Sequence, residues 1–230
     1  MTPYPNAYAT LGVIGRQQVA VTDGLVHHEL YTWDGLLTLL WHGPANPRHV
    51  VLACGGALGG LLGPAEGLYH DLGVAWAAEG RDIATVRISY RAPNDLERCL
   101  HDLLAVAEIA ENVGAERFVT LGHSFGGAVA VQAGVALGPA CAGVVTFATQ
   151  TAGCEEGEAL GAAGTPVLHF HGEDDTTLPF MASQMVQMLT GGELVLLPGA
   201  DHLLSSARDT LWERLVDWVP QQLAITPHTP

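Results

Sequence analysis

The sequence predicts an α/β protein, a three-layer sandwich with a mostly parallel sheet and helices on both faces. Three observations predict it. From residue 48 onward, short continuous apolar runs alternate with longer segments of helical pattern, as strands buried on both faces and joined by crossover helices do. The apolar fraction is 48% against 14% charged residues, which suits a large buried core and excludes disorder. Glycine occurs 28 times in 230 residues without a three-residue period, which excludes a collagen-like chain and implies many tight turns or close backbone approaches.

Residues 1–10 read as a loose lead-in. Apolar runs at 13–21, 25–33 and 36–41 have strand character, with Asp23-Gly24 and Asp34-Gly35 between them as turn signals, so an antiparallel meander is expected. Beyond Pro47 the pattern changes. Strands are expected at 49–54, 82–90, 117–121, 142–148, 166–170 and 193–197. A Gly-rich loop covers 55–63, and helices are expected at 64–79, 94–113, 125–137, 178–189 and 203–223. Asn94, three residues before Glu97, reads as the start of an Asn-type capping box. No internal repeat interrupts this order. The reading is a single domain over 1–230, with 1–10 and 224–230 as flexible tails.

Charge narrows the partners. The net charge is −15, and all nine basic residues are arginine. Such a chain repels phosphate backbones and anionic membrane surfaces, so neither nucleic acid nor membrane is an expected partner. The 118–154 stretch lacks Asp, Glu, Lys and Arg, but glycines, His123, Gln132 and Pro139 break it well short of the roughly 20 apolar residues a spanning helix needs. The N-terminus has no basic region followed by an apolar one, so no signal peptide is read and a cytoplasmic location is expected. Cys54, Cys99, Cys141 and Cys154 form no Cys-x-x-Cys pair, which argues against zinc-ribbon and thioredoxin chemistry; they read as packing or surface thiols.

The chemistry centres on Gly122-His123-Ser124-Phe125-Gly126. This Gly-x-Ser-x-Gly lies between an apolar strand and a buried helix, where a sharp turn presents a serine hydroxyl at the carboxyl end of the sheet. The flanking glycines leave room for the turn, and the backbone N–H of Phe125 meets an oxyanion formed there. A serine hydroxyl needs a base, and the base needs an orienting group. Acidic candidates stand at 173–175 in the loop after the 166–170 strand, and His202 follows the 193–197 strand. Both loops lie on the same sheet edge as the serine. His123 lines the pocket or packs beneath it. His27 and His28 point to opposite faces of a strand. His169 and His171 share a face, which admits a metal pair, although ordering the acid loop by hydrogen bonds is the favoured role for His171. No His-x-x-x-His, Gly-x-Gly-x-x-Gly or P-loop occurs, so no metal and no cofactor is expected.

Together, the elbow, the His171-Gly172-x-x-Asp175-x-x-x-Pro179 segment and the late Gly199-x-x-His202 resemble an α/β-hydrolase of the serine esterase kind. The resemblance covers roughly residues 48–220. It is nearest to the small cap-less members grouped with dienelactone hydrolases and prolyl-oligopeptidase-type domains. It implies an eight-stranded sheet with antiparallel N-terminal strands. It also implies a triad of Ser124, Asp175 and His202, the acid standing three residues after Gly172 and four before Pro179, with Asp174 as alternative. The family's His-Gly segment after the third strand corresponds here to Cys54-Gly55-Gly56-Ala57, so Gly56, or else Ala57, would supply the second oxyanion donor beside Phe125. Cys54 departs from the usual histidine. Members with a cysteine nucleophile carry it at the elbow, where this chain has Ser124. Cap domains usually follow the sixth strand, whereas here only residues 149–165 are available, leaving an open site. Leu58, Leu61, Leu62, Phe125 and the stretch from Leu178 to Met181 either wall an apolar pocket or pack in the core. The implied activity is hydrolysis of a small carboxylic ester or thioester, with that small molecule as the expected partner. A peptidase or amidase with the same triad, and a non-catalytic small-molecule binder, are the alternatives.

Overall fold

Nine strands form one sheet in the order β1-β2-β3-β5-β4-β6-β7-β8-β9. The computed structural model describes residues 6–224; the remainder of the two expected tails lies outside the described residues. β1 (Val13–Thr22), β2 (Leu25–Thr32) and β3 (Gly35–His42) make the antiparallel meander. β3 then joins β5 (Ile83–Ser89) antiparallel. From β4 (His49–Cys54) onward every pairing within the sheet is parallel, through β6 (Arg117–His123), β7 (Cys141–Phe147), β8 (Val167–Gly172) and β9 (Glu193–Leu197). The expected count of eight is corrected to nine. All three meander strands stay in the sheet, with β1 as a long outer edge strand bulged near both ends.

The helices divide the core in two. α1 (Ala7–Thr10), α3 (Leu96–Glu111), α4 (Phe125–Leu137), α5 (Glu158–Ala163) and α6 (Met181–Thr190) cover one face, together with Leu52, Val86 and Phe118. α2 (Leu68–Ala78) and α7 (Arg208–Ala224) cover the other, around Val51, Val119 and Leu121. The parity is that of a strand: Val119 and Leu121 face α2 and α7 while Phe118 faces α3 and α4. Trp76 is fully buried on α2, and its indole N–H donates to the Val216 carbonyl of α7 at 3.1 Å, joining the two helices.

Local departures have local causes. Residues 7–10 are helical rather than loose: the Tyr8 N–H donates to the Glu108 carboxylate of α3 at 2.8 Å, which anchors the segment. The cap of α3 is Asp95, whose side chain accepts the Arg98 N–H at 3.1 Å. Asn94 instead takes a left-handed φ of 68°, so the extended conformation a cap needs falls on the next residue. α2 begins at Leu68, because Ala65, Glu66 and Gly67 all have positive φ. α6 begins at Met181, and the last helix opens as a 3₁₀ turn, Ser205–Ala207. Residues 149–165 hold only the 3₁₀ turn Glu155–Gly157 and the six-residue α5. No helix among the described residues is long and apolar enough to cross a membrane.

β5 and β6 flank β4 on opposite sides, so successive connections diverge there, and the carboxyl ends of β4 and β6 border the crevice where open parallel sheets bind ligands.

Three buried histidines make stability depend on acidity. Burial lowers His42, His123 and His169 to about 4 from the ordinary 6.5, with Arg87 and His70 reinforcing the effect at His42. The folded value lies below the unfolded one, so the stabilisation is complete above pH 6.5 and is lost as pH falls toward 4, where the unfolded chain binds up to about three more protons. Unfolding free energies from urea titrations should therefore fall between pH 6.5 and 4, with a limiting slope of about 4 kcal/mol per pH unit. A flat profile in that window would contradict neutral burial of these rings.

Candidate active site

β6 ends at His123, α4 begins at Phe125, and Ser124 alone makes the reversal, at φ 57° and ψ −121°. A non-glycine residue there stores about 1–3 kcal/mol of strain. The surroundings hold it in place: the Ser124 N–H donates to the Phe147 carbonyl of β7 at 2.8 Å, and the Ser124 carbonyl accepts the Gly127 N–H at 2.9 Å. The turn is so tight that a Cβ on Gly122 would lie 1.9 Å from the Gly126 oxygen. A Cβ on Gly126 would lie 2.2 Å from the Gly55 oxygen of the loop after β4. Glycine at these two positions lets the elbow form and lets the loop after β4 lie against it.

The structure brings Ser124, His202 and Asp175 together. The Ser124 hydroxyl donates to His202 Nε2 at 3.0 Å, and His202 Nδ1–H donates to Asp175 Oδ2 at 2.7 Å. Asp175 lies in the loop after β8, and its other oxygen accepts the N–H groups of Thr177 and Leu178 at 2.7 and 2.9 Å. Burial pushes this carboxyl up, but the Leu178 N–H, the His202 ring and the Thr177 N–H outweigh it and hold the carboxyl below the usual aspartate value. Asp174 is exposed, with its N–H on the Ala200 carbonyl.

His171 is fully buried behind Asp175. Its Nε2–H faces the Leu178 carbonyl at 2.9 Å and Asp175 Oδ2 at 3.2 Å, while the Ser183 hydroxyl donates to Nδ1 at 2.6 Å. Burial lowers its pKa and keeps the ring neutral. His169 points elsewhere, its ring nitrogens meeting the Thr146 and Thr190 hydroxyls at 2.7 and 2.9 Å. With their nitrogens so engaged, the two rings do not form a metal pair.

Gly56 lies beside the serine: a Cβ built on it would be 3.5 Å from the Ser124 Cβ. Ala57 is half-buried and packs against the core. The Phe125 N–H opens α4, where a helix has no internal acceptor for it. Cys54 is a packing residue under the elbow. Its thiol donates to the Leu121 and Gly126 carbonyls at 3.2 and 3.4 Å, and burial pushes its pKa up to about 12.

The three residues expected to contact substrate fare differently. Leu58 is 97% exposed. Leu178 is half-buried, and its backbone serves Asp175 and His171. His123 is buried, and its Nε2–H donates to the His202 backbone carbonyl at 2.8 Å. The alternation through Val119 and Leu121 carries the signal that His123 points to the α2 and α7 face; the hydrogen bond itself leaves none. Ser183, in α6, has no sequence signal linking it to His171.

The profile of the phospholipase/carboxylesterase family matches residues 94–194, a span that contains Ser124 and Asp175. Among solved structures, the chain is similar to Est1E from Butyrivibrio proteoclasticus, with 16% identity over 86% of this chain and 99% of that one, at a TM-score of 0.69. It is also similar to XC6422 from Xanthomonas campestris, described as a member of the α/β serine hydrolases without a lid, with 18% identity over 91% and 100% of the two chains, at a TM-score of 0.65. TT1662 from Thermus thermophilus gives 18% identity, 93% and 100% coverage and a TM-score of 0.63. No curated protein matches. The chain has the α/β-hydrolase fold.

Two glycines of this site, Gly126 and Gly56, should respond differently to a methyl group. Gly126→Ala places Cβ against fixed backbone. The upper end of the overpacking cost, about 3 kcal/mol, then exceeds the gain of about 1 kcal/mol in helix propensity. Gly56→Ala meets only ordinary contacts, and Gly56 is not among the positive-φ residues. Thermal melts should show a clear loss for Gly126→Ala and little change for Gly56→Ala.

Proposed function

We propose that this protein is a serine hydrolase that cleaves a small carboxylic ester or thioester through an acyl-enzyme. The observation that carries this reading is the continuous hydrogen-bonded line from Ser124 through His202 to an ionised, buried Asp175. The Asp175 carboxylate holds the proton on His202 Nδ1, which leaves Nε2 free to take the Ser124 proton as Oγ attacks the acyl carbon. The oxyanion that forms is met by the backbone N–H of Phe125 and, on this reading, that of Gly56, with Ala57 as the alternative donor; each such donor is worth about 3–4 kcal/mol in the barrier. His202 then protonates the departing alcohol or thiol, and a water activated by the same ring releases the acid. The phospholipase/carboxylesterase match supports an acyl-transfer chemistry, and the short 149–165 segment supports an open site for a small substrate.

A fluorophosphonate should label Ser124, located by peptide mass spectrometry, and a graded series of p-nitrophenyl esters should report turnover. Asp175→Asn should lower kcat by about 10⁴-fold through the wrong His202 tautomer. Asp174→Asn should leave it nearly unchanged. An adduct elsewhere, or none on folded protein, would overturn this function; a reversed order of the two aspartates would shift the acid by one residue.

A further inference from the structure

We propose that His123 is a positioning residue for the base: its ring N–H grips the backbone of His202 and sets the imidazole of that residue against Ser124. This rests on the serine-hydrolase reading above. A carbonyl only accepts hydrogen bonds, so the 2.8 Å contact from His123 Nε2 to the His202 oxygen places the proton of the neutral ring on Nε2 and leaves Nδ1 bare. Burial, which lowers His123 to about 4, keeps the ring in this neutral form at ordinary pH.

The contact closes a small ring. His123 is bonded covalently to Ser124, Ser124 Oγ is bonded to His202 Nε2 at 3.0 Å, and the His202 carbonyl returns to His123 at 2.8 Å. Residues 79 apart in sequence thus form one unit with the elbow. The loop carrying His202 needs such a hold, because it follows β9, a strand at the sheet edge whose residues are mostly half-exposed. Its other anchors act on neighbouring residues. Asp201 accepts the N–H groups of Leu203 and Leu204 at 3.0 and 3.1 Å, and the Leu203 carbonyl accepts the Ala65 N–H at 2.8 Å. His123 acts on the carbonyl of His202 itself. Its ring also packs 5.0 Å from the His202 ring, and its Nδ1 lies 3.8 Å from where a Cβ on Gly56 would stand. One side chain therefore holds the base and lies beside the loop after β4. The titratable groups around it are His202, Asp175 and His171.

The test compares three substitutions. His123→Gln keeps a donor at the reach of Nε2, His123→Asn keeps one only at the reach of Nδ1, and His123→Phe keeps a ring without a donor. The readouts are kcat and KM on a p-nitrophenyl ester, the rate of fluorophosphonate labelling of Ser124, and the unfolding midpoint. A misplacement near 1 Å costs about 100-fold in rate. His123→Phe and His123→Asn should therefore lose about 10- to 100-fold in kcat and labelling with KM little changed, and His123→Gln should recover most of the loss. Wild-type rates in all three variants, or losses that follow the unfolding midpoint and are not recovered by Gln, would overturn the proposal and leave the serine-hydrolase reading standing. An unlabelled, inactive wild-type protein would defeat that reading and the positioning role with it. Nitrogen-15 NMR of the wild-type protein separately tests the contact. The expected result is a protonated Nε2 and a bare Nδ1 on His123 at pH 7, and the opposite tautomer overturns the contact whatever the activity.

Discussion

The close approach of two backbone segments at the carboxyl ends of β4 and β6 is the constraint on which the rest of the site depends. The Gly55 carbonyl lies where a side chain on Gly126 would begin, and the Gly126 carbonyl lies where one on Gly122 would begin. Only with those side chains absent does the chain reverse from strand to helix in a single residue. Ser124 takes the strained dihedrals of that reversal, and the surrounding parallel sheet supplies the hydrogen bond to Phe147 that holds it there. The buried start of α4, where Gly126, Gly127 and Ala128 follow Phe125, follows from the same constraint, since a bulkier first turn would not fit beneath the loop after β4.

Around this fixed point the polar side chains divide the work by burial. Asp175 is the negative end of the line, and the donors around its carboxylate make ionisation favourable despite desolvation. The histidines to either side of His202 have the opposite balance. Burial holds His123 and His171 neutral, so each presents one donor and one acceptor in a fixed arrangement. A neutral ring adds direction without adding a competing positive charge beside the His202 imidazolium that the proposed reaction forms. The same neutrality is a source of acid sensitivity in the fold.

The exterior of the site is shaped by short connections. Residues 149–165 are too short to build a separate covering layer, and Leu58, Leu62 and Leu203 remain largely exposed in the loops that border Ser124 and His202. With a net charge of −15, the summed field of the protein repels polyanions at long range.

Much of this organisation is legible in the chain alone. Continuous apolar runs such as Val50 to Cys54, short and bounded by turn residues, read as strands covered on both faces, and the Gly-x-Ser-x-Gly turn between a strand and a small-residue helix marks the elbow. Those features rest on interactions between near neighbours, which a sequence records directly. Spacing alone does not separate Asp175 from Asp174, because both residues sit in one loop and only the fold buries one and exposes the other. The same holds for the cap of α3, which is Asp95 because the preceding turn uses Asn94 in a left-handed conformation. The bonds from His123 to the His202 carbonyl and from Ser183 to His171 were decided by tertiary structure alone. They join segments brought together by strand order and crossover direction, and no local pattern along the chain encodes which two loops will meet at the edge of the sheet.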